Sequence, residues 1–187
     1  MKPWRRIESK RIRRCGIFDL DHSRFEPPDG GEARWYYVIE APDWINVIPL
    51  TDGGEVLMVR QFRFGIGGHT LEIPGGMCDD GESPRIAAAR ELKEETGYAA
   101  SSMTEVGWVH PNPPIQNNRC YTFLARELTP TGEATPDADE RFELERIPLK
   151  EVPRLISDGT ITHALVLAAF HLFDGKAHSL LSRPSGS

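Results

Sequence analysis

Apolar and polar positions along the chain fall into short runs with the period and residue types of β-strands. Residues 35–41 (WYYVIEA), 44–50 (WINVIPL) and 55–63 (EVLMVRQFR) are rich in β-branched and aromatic side chains, which suit a pleated, half-buried surface. Asp52-Gly53-Gly54 predicts a hairpin turn between the last two. Ile12 to Leu20 predicts a further strand, and Leu71 to Pro74 a short apolar one before a double glycine. Residues 1–10 predict a loose or edge-pairing arm. Residues 21–33, with Pro27, Pro28, Gly30 and Gly31, predict a turn or loop. Strands are expected near 104–110, 119–126 and 142–147, with a turn-rich, acidic and mobile loop over 127–139.

Helical signals are concentrated in three places. Over 83–96, Ser83 is a suitable N-cap, Pro84 suits the first helical position, three consecutive alanines favour the helix and Gly97 is a C-terminal stop. Leu149–Ser157 and His163–Asp174 predict two more helices, and the tail ending SRPSGS predicts disorder. Strands and helices in this order, without strict alternation, imply an α+β or mixed α/β domain. The expected division is an N-terminal arm with strands over 1–43, a main domain over 44–178 and a tail over 179–187.

Composition narrows the picture. The chain has 187 residues, 39% hydrophobic and 27% charged, which fits one domain with a sizeable core. Its formal net charge of -6 argues against a general nucleic-acid binder, which carries a basic excess. Cys15, Cys78 and Cys120 show no metal-binding spacing, and free thiols imply a reducing cytoplasm. The basic N-terminus lacks the apolar core of a signal peptide. No apolar run reaches the roughly 20 residues needed to span a bilayer.

The chemistry is concentrated in residues 76–98, GMCDDGESPRIAAARELKEETGY. Glu91, Glu94 and Glu95 stand at i, i+3 and i+4, which brings three carboxylates to one helix face, while Glu82 enters from the preceding loop. Like charges this crowded call for a hard divalent cation with oxygen ligands. Arg90 can hydrogen-bond one of the acids in fork geometry and fix its orientation.

The spacing G-x5-E-x7-R-E-U-x-E-E-x-G-U, with U apolar, is that of the Nudix box, and Tyr98 stands at its last position. The chain resembles the Nudix hydrolase superfamily, in particular its ADP-ribose and nucleoside diphosphate sugar pyrophosphatase branch. Further likeness lies in Arg60-Gln61-Phe62-Arg63, in Glu72-Ile73-Pro74-Gly75-Gly76 and in Pro113 and Pro114 downstream. The resemblance implies a Nudix fold, an α/β/α sandwich with a mixed central sheet and added N-terminal antiparallel strands. It implies magnesium, with manganese as a substitute, held by the Gly75 carbonyl, Glu91 and Glu95. Glu94 is implied as a further ligand or an orienting base, and Arg90 as part of the catalytic group. Arg63 is implied to contact the substrate diphosphate, with Arg60, Glu72 and Pro113 on the substrate side. The branch also supplies a carboxylate from a loop after the box; Glu140 matches best, then Glu143, and either would complete a metal shell or activate water. A homodimer is implied, its N-terminal strands contributing to the partner's site. Trp35, Tyr36 and Trp44 are candidates to stack on a nucleobase.

The expected activity is hydrolysis of the diphosphate in ADP-ribose or another nucleoside diphosphate sugar to a nucleoside monophosphate and a sugar phosphate. Other nucleotides, such as dinucleoside polyphosphates, nucleoside triphosphates or an RNA cap, are the neighbouring alternative. A Nudix fold that senses a nucleotide without cutting it is the other, because a fold alone does not determine function. His110, His163 and His171 match no ligand or triad spacing and are expected to be packed or surface histidines.

Overall fold

The computed structural model describes residues 1–132, 134 and 142–181. The chain divides into two compact units: Met1–Asp43 with His110–Arg119, and Trp44–Val109 with the remainder from Cys120.

The first unit is a three-stranded antiparallel sheet in the order β1 (Arg5–Arg14), β2 (Asp19–Glu26) and β3 (Arg34–Glu40). Every residue of β1 is exposed, so this strand gains little from burial. It is held by its ladder to β2 and by ion pairs from Arg5 to Glu26, Arg6 to Glu40 and Arg11 to Asp19 and Asp21. Charged side chains on an edge strand also discourage unplanned pairing. The segment His110–Arg119 is tied to this sheet through its backbone: the Ile39 N–H donates to the Ile115 carbonyl at 2.7 Å. The Asn117 and Asp43 side chains accept from the N–H groups of Ala41 and Arg119 at 3.0 and 2.7 Å.

The second unit contains two sheets. One is mixed, in the order β7 (Gly75–Met77), β4 (Trp44–Pro49), β9 (Cys120–Pro130) and β8 (Tyr98–Val109), with β4 and β9 parallel. The other places β10 (Phe142–Pro148), β5 (Glu55–Arg63) and β6 (Gly68–Glu72) side by side. The helices are α1 (Pro84–Thr96), α2 (Val152–Ser157), α3 (Ala164–Asp174) and α4 (Ala177–Leu181). Because strand side chains alternate between faces, β4 serves two cores. Ile45 and Val47 pack with Ala87, Ala88 and Leu92 of α1, whereas Ile48 packs with Val152, Phe170 and Phe173 from α2 and α3. Each buried Ile, Val, Leu or Phe among these contributes about 1.5–3 kcal/mol, and the sheet between the two layers is anchored from both sides. Strands and helices without strict alternation make this a mixed α/β unit, as expected.

Several expectations need correction. The strand expected over Ile12–Leu20 does not exist as such: the chain turns at Gly16 (φ 81°), with the Cys15 N–H donating to the Phe18 carbonyl at 2.9 Å. Two strands flank that turn, so the arm is β1 and half of the expected loop over 21–33 is β2. The Asp52-Gly53-Gly54 turn forms, with the Gly54 N–H on the Thr51 carbonyl at 2.9 Å, but its flanking strands enter different sheets and share only the bridge Leu50–Val56. The short strand expected over 71–74 lies instead at Gly68–Glu72, where it pairs with β5. Residues 127–130 belong to β9, because β8 starts at Tyr98 and supplies partners up to Pro130. Ser179–Leu181 is helical. The rest of the expected tail, and residues 135–139 of the expected loop, lie outside the described residues.

Candidate active site

Helix α1 is set in place at both ends. Ser83 accepts from the Ile86 N–H at 3.4 Å, Pro84 begins the helix, and Gly97 (φ 70°) closes it with its N–H on the Lys93 carbonyl, the left-handed geometry that glycine adopts without strain. The acids therefore leave a rigid element at defined angles.

Arg90 organises three of them. Its Nε and Nη2 donate to Glu82 at 3.1 and 2.9 Å, and its Nη1 donates to Glu91 at 2.8 Å and Glu94 at 3.1 Å. Nη2 also donates to the Met77 carbonyl at 2.9 Å, which closes the loop after β7 onto the helix. The hydrogen bond to Glu82 is the largest influence raising the Arg90 guanidinium above its ordinary value; burial opposes it, and Glu91 and Glu94 add to it. Conversely the Arg90 hydrogen bond holds the Glu82 carboxyl below its usual range. One planar donor fork thus holds three carboxylates beside each other and favours the charged form of Glu82.

The two glycines that open β7 are needed for close approach. A β-carbon on Gly75 would stand 2.5 Å from the Ile45 carbonyl oxygen and 2.7 Å from Asn46 Oδ1, and one on Gly76 would overlap the Glu91 carboxylate. Glu95 is 2% exposed and accepts from the Gly75 N–H at 3.0 Å. The shared helix face thus resolves into distinct positions: Glu95 inward on Gly75, Glu91 against Gly76, and Glu94 half exposed. As placed, no three acidic, histidine or cysteine side chains among the described residues converge closely enough to hold a metal ion. The donor set nevertheless suits a hard divalent ion: all are oxygens, and the glycine backbone lets the Glu91 and Glu95 carboxylates approach the Gly75-Gly76 peptides.

Arg63 at the end of β5, an expected substrate contact, forms a bidentate pair with Glu72 of β6, Nε to Oε1 at 2.8 Å and Nη2 to Oε2 at 2.6 Å. Thr70 donates to the same Oε1. Glu72 is 2% exposed. Burial, the largest influence, disfavours its charge, but Arg63 and Thr70 outweigh it and hold the carboxyl below the usual range. Arg60 donates to Glu145 at 2.6 Å, and Glu143 stands opposite Arg60 in β10, with its side chain exposed. Trp44 opens β4 beside Met77 and Cys120. Glu140 lies outside the described residues.

Within the first unit, a cavity of about 580 Å³ is lined by Trp4, Arg6, Phe25, Tyr36 and Pro113, among others. Trp35 does not line it and lies against His22 in a tilted arrangement, 4.6 Å between ring centroids. Sequence reasoning did not single out Asn46, Thr70 or, as a site residue, His163. Thr70 was accessible to it, because residues two apart on a strand share a face with Glu72. Asn46, whose Nδ2 donates to the Leu165 carbonyl at 3.1 Å, and His163 depend on contacts distant in sequence.

The chain is 32% identical over 164 residues to the ADP-ribose pyrophosphatase of Bacillus subtilis (strain 168), an alignment covering 84% of this chain and 88% of that one. It is 28% identical over 164 residues to the ADP-ribose pyrophosphatase of Mycobacterium tuberculosis (strain ATCC 25618 / H37Rv), covering 87% and 79%. A crystal structure of an ADP compounds hydrolase superposes with a TM-score of 0.83 at 23% identity, over 96% of this chain and 97% of that one, which supports the fold. The NUDIX domain model matches residues 40–170, and with the box acids gathered around Arg90 and the Gly75-Gly76 backbone, the chain belongs to the Nudix family of hydrolases.

Proposed function

We propose that this enzyme hydrolyses the diphosphate bridge of ADP-ribose or a related nucleoside diphosphate sugar, releasing a nucleoside monophosphate and a sugar phosphate, with magnesium as its metal. The observation that carries this reading is the co-location, in one unit, of the Arg90-centred carboxylates and the buried Glu95–Gly75 contact with the Arg63–Glu72 pair. The relatives named as ADP-ribose pyrophosphatases support the substrate class.

The Gly75 carbonyl, Glu91, Glu94 and Glu95 would hold the metal, with Glu140 as the expected loop carboxylate. The ion would supply charge neutralisation at the diphosphate and a more acidic bound water. The chain's own part is positional. Arg90 holds Glu82, Glu91 and Glu94 in place as carboxylates, available as ligands or as proton acceptors for an attacking water. Arg63, oriented by Glu72 and Thr70, presents a planar cation suited to bidentate phosphate contact. A cytosolic homodimer belongs to the same reading, as the family resemblance implies; no helix among the described residues is long and apolar enough to cross a membrane.

The test is a panel of ADP-ribose, GDP-mannose, UDP-glucose, ADP-glucose and dinucleotides with magnesium, scored for monophosphate release. The expected result is turnover of ADP-ribose or a nucleotide sugar that disappears with a chelator. Turnover confined to triphosphates or dinucleoside polyphosphates, or turnover that persists with chelator present, would overturn the reading.

A further inference from the structure

Gly75 opens a short strand. β7 has three residues, stands at the edge of its sheet and pairs with β4, so few ladder bonds determine where its first peptide sits. Two side chains reach that residue. One is Glu95 of α1, which accepts from the Gly75 N–H at 3.0 Å. The other is Asn46 of β4, the direct cross-strand partner of Gly75. Ile45 and Val47 pack against α1, so by strand alternation Asn46 points to the opposite face of the sheet. There it is buried, and its Nδ2 donates to the Leu165 carbonyl in the first turn of α3 at 3.1 Å. A buried amide is costly unless it is hydrogen-bonded, and this bond sets which way the amide faces. Its Oδ1 is turned onto Gly75: a β-carbon on that glycine would stand 2.7 Å from it. A side chain at this position would strike the oxygen; glycine lets it rest against the backbone.

We propose that Asn46 is a positioning residue for Gly75: its amide is a strut from the first turn of α3 to the start of β7, and it holds the Gly75 peptide where the N–H meets Glu95 and the carbonyl can serve a metal ion. The strut is chemical as well as steric. Leucine in the same place fills a similar volume but takes the donor from the Leu165 carbonyl and sets methyl groups against Gly75. Gly75 then shifts, Glu95 loses its donor, and the two groups no longer keep register. The effect falls on metal affinity and not on substrate binding, because the Arg63–Glu72 pair stands on other strands. The metal part rests on the pyrophosphohydrolase reading. The effect on the metal-free Gly75–Glu95 contact does not.

The test compares the full-length wild type with Asn46→Leu and with the milder Asn46→Ser, whose short hydroxyl cannot span from Leu165 to Gly75. The first measurement needs no activity: amide hydrogen exchange in metal-free protein. The Gly75 amide is expected to exchange roughly threefold to tenfold faster in both variants, the scale of one net hydrogen bond. The amides of Phe123 and Leu124, held in β9 between β4 and β8, are expected to keep their wild-type rates. The second measurement is magnesium binding by calorimetry without substrate, expected to weaken roughly tenfold, the low end for loss of a group that orients ligands. KM for the turned-over nucleotide sugar at saturating magnesium is expected to stay unchanged. Gly75 exchange at the wild-type rate, or Phe123 and Leu124 accelerating in step with it, would overturn the proposal. Faster Gly75 exchange with unchanged magnesium binding would overturn its metal part. Absence of any turnover, with the exchange and magnesium effects present, would sink the activity reading and leave the Asn46 role standing.

Discussion

Gly76 and Glu91 are packed so closely that a β-carbon on the glycine would overlap the Glu91 carboxylate. Glu91 also accepts from Arg90 at 2.8 Å, so a displaced carboxylate cannot move without breaking that bond. Gly76→Ala is expected to lower kcat/KM by about 10²-fold, the scale associated with an ångström of misplacement at a reacting centre. Circular dichroism should show the fold retained. Wild-type turnover in G76A would mean that the position of Glu91 is not needed for activity.

Arg90 reaches three carboxylates and the Met77 carbonyl through one planar group. A lysine keeps the charge but offers a single point donor. Arg90→Lys is therefore expected to lose roughly 10–100-fold in activity or metal affinity, the usual effect of removing a group that orients ligands. Metal titration of turnover distinguishes the two. An unchanged titration and rate would remove Arg90 from the catalytic group.

Glu95 is buried with an oxygen on the Gly75 N–H. Glu95→Gln keeps a carbonyl acceptor for that N–H but removes the charge. Turnover is expected to fall by about 10²–10⁴-fold, as for loss of a group acting on a reacting proton or metal, with the thermal midpoint nearly unchanged. Retained activity would argue against its role as a metal ligand.

Glu143 lies in β10 opposite Arg60, a place from which a carboxylate cannot travel far. Glu140→Gln is expected to reduce kcat more than Glu143→Gln. The reverse order, measured at saturating substrate, would move the loop role to Glu143.

The stability of the fold should also depend on pH through His163. Its folded-state pKa is lowered from 6.5, so below that value the unfolded chain binds the proton first. Stability attributable to this group is complete above pH 6.5 and is lost as pH falls toward the folded value. Glu72, lowered from 4.5, adds a second loss in more acid solution, as pH falls from 4.5 through its folded value. Urea midpoints across pH should show a decline starting near 6.5 in the wild type that is absent in H163N, while the more acid decline remains. Parallel curves would mean that His163 titrates alike in both states.

Much of this protein is local and therefore legible in the sequence. Capping at Ser83, the alanine run and Gly97 define α1 through interactions between neighbours, and the acids and Arg90 ride on it at helical spacing. The Gly-Gly step and the i, i+2 relation of Thr70 to Glu72 are equally short-range. The N-terminal strands were misplaced because a turn at Gly16 and pairing with β2, not burial, determine where β1 runs. The β9 strand extends past Ala125 because β8 supplies partners there, which no property of Glu127-Leu128 by itself announces.

What only the tertiary structure decided is which charged groups meet. Sequence spacing placed Glu91, Glu94 and Glu95 on one helix face, but the backbone of Gly75 and Gly76 separates their environments, drawing Glu95 inward and leaving Glu94 half exposed. Arg63 and Glu72 meet across adjacent strands, and the charge of both acts on His163, a relation that residue types by themselves do not announce. Local propensities sum along the chain; desolvation and charge pairing depend on what the fold brings within a few ångströms. The residue types of this candidate site are written in the sequence, and their orientation follows only from packing.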